Sequence, residues 1–178
     1  MPSKVIQGYF AAGGAILSHR PPATAYGPPA GGKPVQPRGQ SGGLEVNPAL
    51  IRATGPGKRL PDNLLAHMER SLGADFSDVC VHVGPQAERI GAIAFTTGSD
   101  LFFAPGRFQP DSVAGRQLIG HELAHVVQQR QGRVRGATGR LSVVQDQALE
   151  AEADRLGHLA AAGSVSFARS HSSTASSR

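Results

Sequence analysis

The amino-acid sequence predicts a small α+β domain. Three observations carry that reading: "DVCVHV" alternates as a strand does, "AIAFT" and "LFFA" flank a short "TGSD" connector, and helical apolar spacing recurs on both sides of them. A chain of 178 residues holds one domain of ordinary size. We expect the folded part to span residues 60–162, between a disordered arm over 1–59 and a flexible Ser-rich tail over 163–178.

The elements follow in chain order. Residues 20–58 are dense in Pro and Gly and show no sustained period, so they cannot bury enough apolar area to offset their ordering entropy. In "LPDNLLAHMERSLG", Pro61 suits a first helical turn, Leu64, Leu65, Met68 and Leu72 recur at helical spacing, and Gly73 lies just beyond the end. The alternation of Val79, Val81 and Val83 against Cys80 and His82 gives a strand, closed by Gly84 and Pro85. A helical turn near "QAERIG" precedes the two apolar runs, and Gly98 between them suggests a hairpin. Asp111 or Ser112 caps a long helix running to Gly132, with Leu118, Val126 and Val127 among its packed positions. Asp146 caps a last helix, along which Leu149, Ala153, Leu156 and Ala160 form an apolar stripe.

The net charge of +5 is unevenly spread. Residues 1–59 carry seven Lys or Arg against one acid, whereas residues 60–160 carry nine against twelve, so the basic character belongs to the tails. No zinc-knuckle spacing or aromatic-basic interleaving accompanies it, and no specific nucleic-acid partner is expected. A single cysteine, Cys80, excludes an intramolecular disulfide and a Cys-based zinc site; its alternating surroundings predict a buried, inert thiol. Near the start, "VIQGYFAAGGAIL" has the length of a signal core, but its glycines, Gln7 and lone preceding cation match one poorly. No stretch approaches the roughly 18 apolar residues of a membrane helix. The expected location is the cytoplasm on synthesis.

Inside the long helix lies "HELAH". Residues four apart share a helical face, so His121 and His125 can offer two imidazole nitrogens to one ion while Glu122 projects beside them. Such a pair suits Zn²⁺, here one ion per chain, held by three protein ligands with a fourth position left for water. The ion lowers the pKa of that water towards about 7, and Glu122 is placed to act as general base. Chance would produce this pattern only roughly 0.01 times in a chain of this composition.

A third ligand is required, and residues 126–139 hold no histidine. The acids lie instead in "LEAEADRLG", on the last helix. Glu150 and Asp154 share one side of it, so one could bind the ion while the other receives the free N–H of a ligand histidine. Glu152 competes, because Glu150 and Glu152 flank the apolar stripe on opposite sides and spacing does not choose between them.

These motifs resemble known families. HExxH followed on a second helix by Glu-x-x-x-Asp looks like the gluzincin metallopeptidases, and "EAEAD" is similar to the Glu-x-x-Ala-Asp of the CAAX prenyl protease group, whose membrane helices this chain lacks. That resemblance implies Glu150 as ligand and Asp154 as its outer partner. A closer resemblance, over about residues 60–156, is to the soluble eCIS core domain family, called after extracellular contractile injection systems. It rests on "LGADFSDVCVHVGPQAERIGAIAFTTGSDLFFAPGRFQP", "LIGHELAHVVQQ" and "LEAEAD". It implies a zincin-like fold, a short sheet packed on the HExxH helix with a C-terminal Glu-x-x-x-Asp helix, and association with injection-particle components or an effector. It also implies release or delivery through such a particle, with the basic arm as a loading segment.

The functional expectation is a zinc metalloendopeptidase: His121, His125 and Glu150 hold the ion, Glu122 is the base, and Asp154 orients a histidine. Its substrate would be a protein or peptide, an effector or the chain's own arm. The alternative is a non-catalytic cargo or interaction module stabilised by zinc. His82 is a weak candidate for the cleft, and His67 and His158 read as helix-surface residues. For stabilising the oxyanion, Arg155 and His158 are both compatible with the sequence. "SDLFFAP", just before the metal helix, is expected to offer an exposed strand edge to a peptide.

Overall fold

The computed structural model describes residues 5–10, 44–53, 55–134 and 141–170. Its elements are β1 (Val5–Phe10), β2 (Leu44–Glu45), a 3-10 turn (Pro48–Ile51), α1 (Asp62–Leu72), β3 (Cys80–Val83), α2 (Gln86–Arg89), β4 (Ala92–Thr97), β5 (Asp100–Phe103), α3 (Val113–Arg130), β6 (Ser142–Val143) and α4 (Gln147–Ser170). The architecture is α+β, as the sequence predicts. One six-stranded sheet has the order β2-β6-β1-β4-β5-β3. Among the described residues no helix is long and apolar enough to cross a membrane.

Local chemistry explains most boundaries. α1 ends on Gly73, whose positive φ lets its N–H reach the Glu69 carbonyl. β4 and β5 form the expected antiparallel hairpin, turning at Gly98 with φ 64°. Ser112 starts α3 by accepting the Gly115 N–H at 2.9 Å. Asp146 does the same for α4 through the N–H groups of Ala148 and Leu149.

Alternation along the strands sorts two cores. Ala94, Leu101 and Phe103 face α1 and α3, where they meet Met68, Ile119, Leu123 and Val126. Phe95 and Phe102 point to the opposite face and stack at 4.6 Å, with Ile6 and Val143 around them. α3 runs between the sheet and α4 and is buried almost all round from Ile119 to Val126.

Four expectations need correction. Val5–Phe10 belongs to the sheet rather than to an arm: it pairs antiparallel with β4 and parallel with β6, and Ile6 is fully buried. Burying an Ile side chain is worth roughly 1.5–3 kcal/mol, which offsets part of the entropy of ordering this segment, and pairing with a strand on each side and burial of Val5 add to it. The folded part also takes in residues 44–53, and α4 continues to Ser170, past the expected boundary at 162. Residues 11–43, the bulk of the expected arm, and 171–178 of the tail lie outside the described residues. Cys80 is half-buried, because β3 is an outer strand and among the described residues only Lys58 bridges its free side. Finally, β5 is hydrogen-bonded to β4 on one side and β3 on the other, so "SDLFFAP" has no free edge for a peptide.

Candidate metal centre

The site lies between α3 and α4. His121 and His125 stand one turn apart on the buried face of α3, and Glu150 reaches them from the first turn of α4. Their ligand atoms converge: the two Nε2 atoms are 2.9 Å apart, and Glu150 Oε2 lies 3.4 Å from each. Asp154 Oδ1 is 2.9 Å from His121 Nδ1. Sequence reasoning named these four side chains, and of Glu150 and Glu152 it is Glu150 whose carboxylate lies against the two histidines. Glu152 points elsewhere, to Gln128 at 2.9 Å and Arg133 at 2.7 Å.

Hydrogen bonding fixes the state of the ring nitrogens. Asp154 accepts a hydrogen bond from the Nδ1–H of His121, and the Gln128 carbonyl oxygen, 2.9 Å from His125 Nδ1, accepts one from His125. Both Nε2 atoms are then left as lone pairs facing each other and a carboxylate. Three acceptors in a buried space need a positive charge between them. In the metal-free chain a proton supplies it: burial alone would push His121 down, but hydrogen bonds to Asp154 and Glu150 and the charges of Glu122 and Glu150 raise it to about 10. Burial would likewise raise Glu150, yet its bonds to the two histidines bring it down to about 2.

A metal ion fits the same place. His121, His125 and Glu150 are a buried group that could hold one, and the second carboxylate oxygen of Glu150, Oε1, is buried with no hydrogen-bond partner among the described residues. Three ligands at zinc's bond lengths of about 2.0–2.1 Å in a tetrahedron stand about 3.3 Å apart. The observed separations of 3.4, 3.4 and 2.9 Å come within a few tenths of that. The donor set, two imidazoles and one carboxylate, is one that zinc accepts.

Glu122 lies on the sheet side. It is fully buried, its Oε2 accepts the Thr96 hydroxyl at 2.7 Å, and its Oε1 accepts the Tyr9 N–H at 3.3 Å. Burial raises its pKa, against the charges of His121 and His125 and the Thr96 hydrogen bond, which lower it. Tyr9 also sets its ring edge-on to His121, 5.8 Å between centroids, and is 38% exposed at the rim of the site. Burial and the Asp154 charge raise the Tyr9 pKa, so the phenol keeps its proton.

Sequence reasoning missed Tyr9, Gln7, Thr96 and Gln128. The register explains the placement of the three on the sheet: Gln7 pairs with Thr96 and Tyr9 with Ala94, so Gln7, Tyr9 and Thr96 point from the sheet towards α3, where Gln128 lies. "VIQGYF" shows no alternation to mark its faces, and its partner strand β4 begins more than eighty residues later. His82 is not at the site. It stacks on Phe102 and contacts Asp100 at 2.9 Å on the opposite face of the sheet. His67 meets the Ala160 carbonyl and His158 meets Gln117, also away from the ligands. Neither surface concavity along α1 includes a site residue.

Residues 59–133 match the eCIS core domain. The match covers under half of the chain and agrees with the family that the sequence motifs resemble. No curated protein and no solved structure matches. The matched segment runs from α1 through α3 and contains His121, Glu122 and His125. Glu150 and Asp154 on α4, and Gln7 and Tyr9 on β1, lie beyond it, so the cluster is completed by elements on either side of the matched segment.

Proposed function

We propose that this chain is a zinc-dependent endopeptidase associated with a contractile injection system. The observation that carries the reading is the convergence of His121, His125 and Glu150 on one point with Glu122 fixed in the same helical turn. Zinc, when bound, supplies a Lewis acid that acidifies water and polarises a peptide carbonyl. Glu122 accepts the proton at its carboxylate and passes it to the departing amide nitrogen. A raised pKa suits that task, since a base titrating nearer neutrality both takes and returns a proton readily. Asp154 and Gln128 hold the two imidazoles with Nε2 towards the ion, and Tyr9 presents a protonated phenol at the exposed rim. The eCIS core match supports the association with injection particles. Within this reading the substrate is a protein or peptide, an effector or the chain's own Pro/Gly-rich segment.

A second reading has its own support. Glu122 is fully buried and both of its oxygens are engaged by Thr96 and Tyr9, as in a metal-stabilised cargo or interaction module without turnover. Zinc-loaded protein offered a library of quenched fluorescent peptides separates the two. Cleavage by wild type and none by Glu122→Gln supports the peptidase; no cleavage by either, with zinc bound to both, supports the module.

A further inference from the structure

Gln128, one turn beyond His125 on α3, is buried, and its amide makes four hydrogen bonds. Nε2 donates to the Leu149 carbonyl and to Glu152 Oε2, each at 2.9 Å. Oε1 accepts from His125 Nδ1 at 2.9 Å and from Gln7 Nε2 at 3.3 Å. An amide nitrogen only donates and an amide oxygen only accepts, so the two acceptors on α4 leave the side chain one orientation. That orientation requires the proton of His125 on Nδ1 and turns its Nε2 lone pair towards His121 and Glu150.

We propose that Gln128 is a positioning residue of the metal centre, acting through His125, and that Glu152 and Gln7 hold it in place. The proposal rests on the His-His-Glu cluster binding a metal ion and is independent of peptide hydrolysis. It gives Glu152 a role other than ligand: its carboxylate, braced by Arg133, anchors the amide that orients a ligand. It also makes β1 part of the metal centre, since Gln7 bonds both Gln128 and, at 3.2 Å, Gln129. The two ligand histidines then differ in kind, with a carboxylate behind His121 and an amide behind His125. Partners of this sort orient the ring and set its basicity, and their loss typically weakens metal binding roughly 10- to 100-fold.

The test uses the full chain, zinc affinity by competition with a chromophoric chelator, and the visible spectrum of the cobalt-loaded protein. Gln128→Leu should weaken zinc binding by roughly 10- to 100-fold and alter the cobalt bands. Gln128→Glu sets a second acceptor against Glu152 and the Leu149 carbonyl and should also weaken it. Adding Glu152→Gln returns a donor to that contact and should recover several-fold of the loss together with the wild-type cobalt bands; a purely structural glutamine would leave those bands unchanged in every folded variant. This exchange decides the matter if Gln128→Leu fails to fold. Wild-type affinity and cobalt spectra in the folded Gln128 variants, or no recovery in the double variant, would overturn the relay while leaving the metal site standing. A wild type that takes up neither zinc nor cobalt would overturn both.

Discussion

Gly120 of α3 and Gly157 of α4 meet so closely that a Cβ on Gly120 would lie 3.0 Å from the Gly157 Cα. This contact lets the two helices approach, and so brings Glu150 and Asp154 against His121 and His125. A Cβ on Gly157 would stand 2.5 Å from the Gln117 carbonyl oxygen and 3.0 Å from the His121 backbone nitrogen. Both are backbone atoms, so a helix must move. Gly157→Ala should cost about 1–3 kcal/mol, as overpacking does, measured by urea unfolding of the metal-free protein. It should also weaken zinc binding, because the shift separates Glu150 from the imidazoles. Wild-type values of both would show that the crossing has slack that the structure does not suggest.

The ligand set makes a prediction about stoichiometry. Wild type should hold about one zinc per chain by elemental mass spectrometry, as three protein ligands and one open position require. Glu150→Gln should lower that content sharply, since an amide is a poor zinc ligand. Glu152→Gln should keep it at saturating zinc, because Glu152 contacts Gln128 and Arg133 instead of the ion's position. Loss with Glu152→Gln but not with Glu150→Gln would reverse the assignment.

The buried histidine gives the metal-free protein an unusual pH dependence. His121 is raised from 6.5 to about 10, so between those values the folded chain holds a proton that the unfolded chain has released. Its contribution is fully present below about 6.5 and is lost as pH rises through about 10. Glu122, also raised, acts in the same direction from its ordinary 4.5 upwards. Glu150, lowered to about 2, contributes above 4.5 and loses that contribution only as pH falls through about 2. Urea midpoints in chelator should therefore drop between pH 6 and pH 9, and saturating zinc should remove the drop by taking the proton's place. Equal or rising midpoints without zinc would contradict the protonated cluster.

What the sequence made legible was what lies within one helix or one hairpin. The caps Ser112 and Asp146, the β4–β5 turn and the i, i+4 placement of His121 with His125 depend on neighbours a few residues away. Glu150 against Glu152 was not legible, because both border the same apolar stripe and only the crossing of α4 over α3 decides which one meets the histidines. β1 escaped for a related reason. Its six residues show no alternation and precede a Pro/Gly-rich stretch, and its partners β4 and β6 lie far along the chain, so nothing local marked it as buried. With β1 went Tyr9 and Gln7, and the edge inferred for "SDLFFAP" failed because that reasoning placed β4 on one side of it and did not place β3 on the other.

Thr96 offers a test of the proposed base that leaves the metal ligands alone. Its hydroxyl donates to Glu122 Oε2 at 2.7 Å and thereby favours the charged carboxylate, holding down a pKa that burial pushes up. Thr96→Val keeps the shape and removes that donor, so the Glu122 pKa should rise further. If Glu122 must be ionised to accept a proton, the acidic limb of kcat/KM should move to higher pH by a few tenths to about one unit, with zinc content unchanged. Glu122→Gln, measured beside it, should retain zinc and lose at least about a hundredfold in kcat, the smaller end of what general-base catalysis contributes. A Thr96→Val profile that overlays wild type would mean that the ionisation limiting turnover is not that of Glu122. The base would then have to be sought among the other groups at the rim, with Asp154 the first to replace.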